Sequence, residues 1–175
     1  LWGGPYLMEV LKLSRAETGQ MLMYTSLGFI CGSLLVDSVA RKLLHSYKKT
    51  LLAGQLLLLL LMTVFLGPAE AISHGALVAL FFSLGLAVSS GVMIYPIVRS
   101  MFPVRMVGTA LTSLNFFVLM GAASMQQVMG VIIGSFQKMT PAVPSEAFHA
   151  AFQFPIASQA VAVALFFFAR DYWER

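Results

Sequence analysis

Residues 75–98 read GALVALFFSLGLAVSSGVMIYPIV, and their only ionisable side chain is that of Tyr95. His74 precedes the stretch and Arg99 follows it, so the charge-bearing groups stand at its two ends. A helix of about 20 apolar residues, rising 1.5 Å per residue, crosses about 30 Å of hydrocarbon. This stretch therefore has the length and composition of a membrane-spanning helix.

Four similar stretches surround it, and the predicted spans cover 16–44, 50–66, 75–98, 107–136 and 146–169. The chain is 59% hydrophobic and 10% charged with a mean hydropathy of +0.85, whereas soluble domains are roughly 45–50% apolar and about 25% charged. No stretch alternates with the period of two that membrane β-strands require. We therefore predict an all-α fold, a polytopic transmembrane helical bundle, as a single transmembrane domain over 1–175.

The N-terminal residues predict the ends of two helices. Residues 1–11 contain neither an initiator Met nor a signal-peptide leader, and we expect them to be the end of a truncated helix in a chain that is itself a fragment. Ser14 and Glu17 have the spacing of a capping box, in which each side chain satisfies a free backbone amide at a helix start. The first full span is therefore predicted to begin there.

Successive turns between the predicted spans alternate between the two sides of the membrane, and the basic residues are distributed unequally between these sides. One side has three, Lys12, Arg15 and Lys138, and the other has eight: Arg41, Lys42, Lys48, Lys49, Arg99, Arg105, Arg170 and Arg175. Because cytoplasmic loops carry an excess of Lys and Arg, we expect the second side and the C-terminus in the cytoplasm, with the chain in a bacterial inner (plasma) membrane. The net charge of +4 is dispersed over helix ends, which argues against a nucleic-acid partner.

Residues that carry chemistry are scarce. Within 19–36, 51–66, 75–98, 107–136 and 147–169, His149 is the only ionisable residue besides tyrosines and Cys31. A relay of buried carboxylates is therefore not encoded. His45, His74 and His149 lack metal-ligand spacing and are predicted to lie at the membrane interface. No phosphate loop, zinc pair or nucleophile elbow is present, so we expect no enzyme activity, no cofactor and no metal site.

Uncharged polar residues in the third and fourth spans are the candidates for a functional surface. Asn115 and Gln126 lie on one small, polar face of the fourth span, and such a face must meet either a partner helix or a watery cavity. Both alternatives stay open: the two amides line a pathway, or they bridge helices. The further pathway candidates, all in the third span, are Ser89, Ser90 and Tyr95. Pro96 lacks a backbone N–H and predicts a kink there, a candidate hinge.

Glycines at four-residue spacing predict close helix packing. The pairs are Gly28 with Gly32 and Gly130 with Gly134. Small residues let helix backbones approach in lipid, where association depends on van der Waals contact and polar bonds. The same faces also suit helices that slide past each other.

Several motifs, taken in order, resemble the C-terminal half of a major facilitator superfamily (MFS) transporter. Residues 32–42, GSLLVDSVARK, are similar to the family's cytoplasmic loop with an aspartate and basic residues, although Ser38 and Ala40 depart from its pattern. The later motifs are Tyr95-Pro96-Ile97-Val98-Arg99, Phe102-Pro103, Gly108-Thr109-Ala110 and Asn115-Phe116-Phe117. In this resemblance 1–11 is the end of helix seven, and the five spans are helices eight to twelve.

The resemblance implies part of a secondary-active transmembrane transporter that moves a small solute by alternating access between two six-helix halves. Its partners are then the solute, the missing N-terminal six-helix half and the lipid bilayer. It also implies that Asp37, Arg41 and Lys42 form a conformational lock between neighbouring helices, although a solvated Asp37 at headgroup level fits the same sequence. The last helix is peripheral in the family, so Gln159 is expected only to pack. The alternative function is a non-transporting membrane scaffold or assembly protein that binds other helices through small-residue faces.

Overall fold

A computed structural model of the chain describes residues 2–137 and 145–169, and every regular element in these two ranges is helical. The α-helices of the described ranges are α1 (Gly3–Glu9), α2 (Arg15–Ser38), α3 (Tyr47–Met62), α4 (His74–Ser89), α5 (Ile94–Met101), α6 (Val104–Gln137) and α7 (Ser145–Phe167). Short 3₁₀ segments at Thr63–Leu66, Pro68–Glu70 and Ser90–Met93 and a π-helical turn at Val39–Leu43 extend or connect them. The prediction of an all-α fold is confirmed for the described residues.

Five helical segments of the described ranges are long and apolar enough to cross a membrane. They are Arg15–Leu43, Tyr47–Leu66, His74–Met101, Val104–Phe136 and Ser145–Phe167, and we number them as the first to fifth spans. Their ends lie within three residues of the ends read from the sequence. The most apolar of them, the third span, has a mean hydropathy of 2.2.

The capping box predicted at the start of the first span is present. The backbone N–H of Ser14 donates to a carboxylate oxygen of Glu17 at 2.8 Å, and the backbone N–H of Glu17 donates to the Ser14 hydroxyl at 3.2 Å. These reciprocal bonds satisfy amides that the first turn of a helix leaves without partners.

Helices α2 and α4 form the most extensive helix pair of the described structure. Gly28 and Gly85 face each other across it, because a Cβ on Gly28 would overlap the backbone oxygen of Phe82, and one on Gly85 would overlap that of Thr25. The two backbones are therefore in direct contact, which only residues without a side chain permit.

Two apolar clusters occupy opposite ends of the bundle. The aromatic cluster comprises Tyr6, Phe65, Phe81, Phe148 and Phe152, and the Tyr6 ring makes edge-on contacts with Phe65, Phe148 and Phe152 at centroid distances of 5.4–5.8 Å. The second cluster comprises Val36, Ala40, Leu51 and Met93. The aromatic cluster anchors α1 against the ends of α3 and α7, so this end of the bundle is filled with large rings.

The third span is interrupted where α4 passes into α5. Ser90–Met93 is a 3₁₀ segment, and Pro96 follows as the third residue of α5. Because Pro96 has no N–H to donate to the carbonyl four residues earlier, the α-helical ladder cannot be continuous at Val92. The irregular segment thus lies one turn before the proline.

Candidate functional site

Gln126 borders two cavities beside the N-terminal helix. One, of about 500 Å³, is lined by Trp2, Pro5, Ala123, Gln126 and Gln127. The other, of about 330 Å³, is more enclosed and reaches Thr25, Met125 and Phe152. The indole N–H of Trp2 donates to the backbone oxygen of Gln126 at 3.2 Å and holds α1 against α6. The side chain of Gln126 makes no hydrogen bond with any described residue.

Asn115 lies on the same face of α6 as Gln126. The two are eleven residues apart, which places them about 16 Å apart along the helix and within about 20° of each other around it. The Tyr95 hydroxyl donates to the Asn115 side-chain oxygen at 2.7 Å, and both residues are exposed. Of the five pathway candidates, the structure brings these two together, at a level well separated from Gln126.

Ser89 and Ser90 are buried and turn toward neighbouring helices. Their hydroxyls donate to the backbone oxygens of Leu86 and Ala87 at 2.7 Å. A Cβ added to Gly32 would overlap the Ser89 hydroxyl, and one added to Gly54 would overlap the Ser90 hydroxyl. These two candidates therefore lie at helix contacts and do not border the Gln126 cavities.

The structure reveals a polar residue that the sequence reasoning missed, Gln55. Its side-chain nitrogen donates to the Ser90 hydroxyl at 3.2 Å. The side-chain nitrogen of Gln159 donates to the backbone oxygen of Gln55 at 3.1 Å and lies 3.4 Å from its side-chain oxygen. The signal was visible, because Gln55 is the one amide in a run that otherwise reads LLAG and LLLLLL. Gln159, expected only to pack, also makes specific hydrogen bonds.

The charged residues of the expected lock pair within one helical segment. The Arg41 side chain lies 2.9 Å from the Asp37 carboxylate, one turn away on the same segment, and both groups are more than half exposed. Lys42 is exposed and has no ion-pair partner in the described ranges. The resemblance implied a contact between helices, whereas the four-residue spacing lets these side chains meet on one helix face.

The glycines expected at helix contacts divide into two groups. Gly28 and Gly32 lie against α4, whereas a Cβ on Gly130 would approach the Trp2 ring at 3.2 Å and one on Gly134 would meet nothing within 4 Å. The second pair is therefore not part of a helix–helix contact among the residues that the structure describes. Spacing alone does not identify a packing face, because the partner helix has to be present.

His149 lies near the aromatic cluster at the Glu70 end of the bundle. Its Nε2 atom is 2.8 Å from a Glu70 carboxylate oxygen, which joins the start of α7 to the segment after α3. Nowhere in 2–137 and 145–169 do three or more His, Cys, Asp or Glu side chains come together to hold a metal ion.

Comparison of the chain with protein-family models, curated protein sequences and solved structures found no match. The family resemblance therefore stays a prediction that rests on the motifs alone.

Proposed function

We propose that the chain forms part of a secondary-active transporter, and the observation that carries the proposal is the position of Gln126. Its amide has no partner among the described residues and borders cavities of about 500 and 330 Å³. A polar side chain within a membrane span has to meet a partner or a water-filled space. Volumes of this order suit a small molecule, for which pockets are typically about 300–1,000 Å³.

Two further features support movement of the third span against α6. The 3₁₀ segment Ser90–Met93 divides the third span, and interrupted helices are typical of transporter sites. The Tyr95–Asn115 hydrogen bond joins α5 to α6, so a rotation at the interruption would break or remake it. In this proposal Pro96 is the hinge. The exposed face of α6 contacts an N-terminal six-helix half.

A test that needs no knowledge of the solute is cysteine accessibility in the full-length protein, with Cys31→Ser as background. Gln126→Cys should react with a membrane-impermeant thiol reagent from either side of the membrane, because alternating access opens the cavity to both. Leu165→Cys is the matched control, since Leu165 is 70% exposed on the outer surface of α7 and should face lipid.

The scaffold alternative is favoured by the exposed apolar residues of α6, among them Phe116, Phe117 and Leu119. A scaffold buries this face permanently against another helix. Gln126→Cys that reacts no faster than Leu165→Cys, from either side, would contradict the transporter proposal and support the scaffold.

Asp37→Asn in the full-length protein tests the proposed lock separately. The Asp37–Arg41 pair is exposed, and such pairs contribute about 0–1 kcal/mol, so expression should change little. We expect the site of Gln126→Cys to alternate more slowly between reacting with reagent on one side of the membrane and on the other. Lys42→Gln is the control, because it removes a charge without breaking the ion pair, and equal behaviour of the two variants would assign Asp37 to a solvated surface.

A further inference from the structure

A third cavity, of about 470 Å³, lies between α3, α6, α7 and the part of the third span that contains Gly91 and Ile94, and it shares no lining residue with the Gln126 cavities. Its walls include Leu51, Ile94, Val163 and Phe166, and none of the described residues that line it has an ionisable side chain. Gln55 and Gln159 supply its side-chain polar atoms. A pocket of this size, mostly apolar with a few placed polar groups, has the composition of a small-molecule site.

The position of this cavity along the membrane-spanning helices indicates that a ligand would enter it from the lipid. Gln55 is the ninth of the 20 residues of the second span, and Gln159 is the fifteenth of the 23 residues of the fifth. Both amides therefore lie near the middle of helices long enough to cross the membrane. A molecule that reaches them has to be soluble in hydrocarbon.

The hydrogen bonds between the amides have a fixed direction. Ser90 donates to a backbone oxygen, Gln55 donates to Ser90, and Gln159 donates to the Gln55 backbone oxygen. A backbone oxygen only accepts, so the nitrogen of Gln159 has to face it and the assignment of its two side-chain atoms is settled. The oxygen of Gln159 is left as an acceptor for which the described residues supply no donor.

We propose that this cavity binds a membrane-dissolved alcohol, an uncharged apolar molecule whose hydroxyl donates to the side-chain oxygen of Gln159. A ligand with acceptors alone would leave that oxygen unpaired, which is costly away from water. A charged ligand would find no opposite charge among the described lining residues. A water molecule needs two to four polar partners, and the apolar walls offer few beyond the two amides.

The test uses two photoreactive probes of the same length, decanol and decane that each carry a diazirine, and the full-length protein in lipid nanodiscs. The alcohol should label α3 and α7 about fivefold more than the hydrocarbon at equal membrane concentration, the effect of one net hydrogen bond. Excess unlabelled decanol should compete with this labelling, and decane should compete less.

Two variants separate the hydroxyl from the cavity. Gln159→Leu should reduce the alcohol labelling to the level of the hydrocarbon, whereas Gln153→Leu, an exposed amide on the same helix, should keep the preference. Gly91→Leu should abolish labelling by both probes, because Gly91 lines the cavity and a Cβ there meets nothing within 4 Å. Gly19→Leu, at a glycine that also faces open space but lies on α2, which contributes no described residue to the lining, is its control.

Three results would overturn the proposal. They are equal labelling of the parent protein by both probes, an alcohol preference that survives Gln159→Leu, and labelling that survives Gly91→Leu. The Gly91 variant leaves both amides intact, so it remains informative if Gln159→Leu does not fold. None of these outcomes depends on whether the protein transports a solute.

Discussion

The third and fourth spans have similar mean hydropathies, 2.2 and 1.8, but within an apolar stretch of 18 residues half of the third span is buried and only 11% of the fourth. Hydropathy therefore places a helix in the membrane without determining its neighbours. Burial follows from surface shape: Gly85 of α4 meets a helix backbone, whereas Gly108 and Gly121 of α6 face open space. The difference shows that α6 carries small residues for which the described chain provides no partner.

The largest effect is expected at the backbone contact of the third span. Gly85→Ala places a Cβ where it overlaps the backbone oxygen of Thr25, so α2 and α4 have to separate, at a cost of roughly 1–3 kcal/mol or more. The matched change Gly121→Ala meets nothing within 4 Å and should be neutral or slightly stabilising. Thermal unfolding in detergent, followed by loss of monodisperse elution, measures both, and equal unfolding temperatures would show that the contact contributes little.

An intermediate effect is expected on the bare face of the fourth span. We expect the purified 175-residue chain to form dimers or larger oligomers in detergent through this face, since polar groups left in hydrocarbon cost several kcal/mol. The double variant Asn115→Leu with Gln126→Leu should weaken association by about threefold to thirtyfold, the effect of interhelical bonds of about 0.6–2 kcal/mol.

Light scattering over a range of protein concentrations measures this association. Because Asn115 already accepts a bond from Tyr95, Gln126→Leu alone should account for most of the effect. Gln153→Leu, an exposed amide on α7, serves as the control. A parent chain that stays monomeric at every concentration would contradict this prediction.

The smallest effect is expected at the link between the two spans. Tyr95→Phe removes the hydroxyl that bonds Asn115, a loss of about 1 kcal/mol. Trypsin should then cleave after Arg105 about fivefold faster, because the start of α6 is held less firmly. Tyr24→Phe, on α2, is the control. Unchanged cleavage would mean that packing of α5 on α6 suffices without this bond.

The sequence predicted the parts of the fold that depend on local residues. The helical character and the capping box of Ser14 and Glu17 follow from composition and side-chain spacing. The kink expected at Pro96 stays a prediction, and the 3₁₀ segment Ser90–Met93 before it was not predicted. What it did not predict depends on which helices become neighbours. The lone amide Gln55 is visible in the sequence, but its contacts are not, because its partners Ser90 and Gln159 are 35 and 104 residues away along the chain.

The candidate site shows the same division. Asn115 and Gln126 share a face of α6, as helical periodicity predicts, but periodicity did not show that Tyr95 would contact one of them and Trp2 the backbone of the other. Ser89 and Ser90 are polar like Asn115 and Gln126, but they are buried between helices and do not border the Gln126 cavities. The pairing of Asp37 with Arg41 reflects local spacing, whereas the expected contact between helices came from the resemblance alone.

The 3₁₀ segment Ser90–Met93 also changes the angular phase of the third span. A 3₁₀ helix turns about 120° per residue and an α-helix about 100°, so these four residues add about 80° of rotation between α4 and α5. In saturation mutagenesis of 74–101, tolerance to substitution should therefore repeat with the helical period before residue 90 and again after it, with a shift in phase between the two parts. A period fitted to α4 alone would identify the lipid-facing side of α4, and a period fitted to α5 alone would identify that of α5. A single period fitted to the whole span would identify neither side correctly.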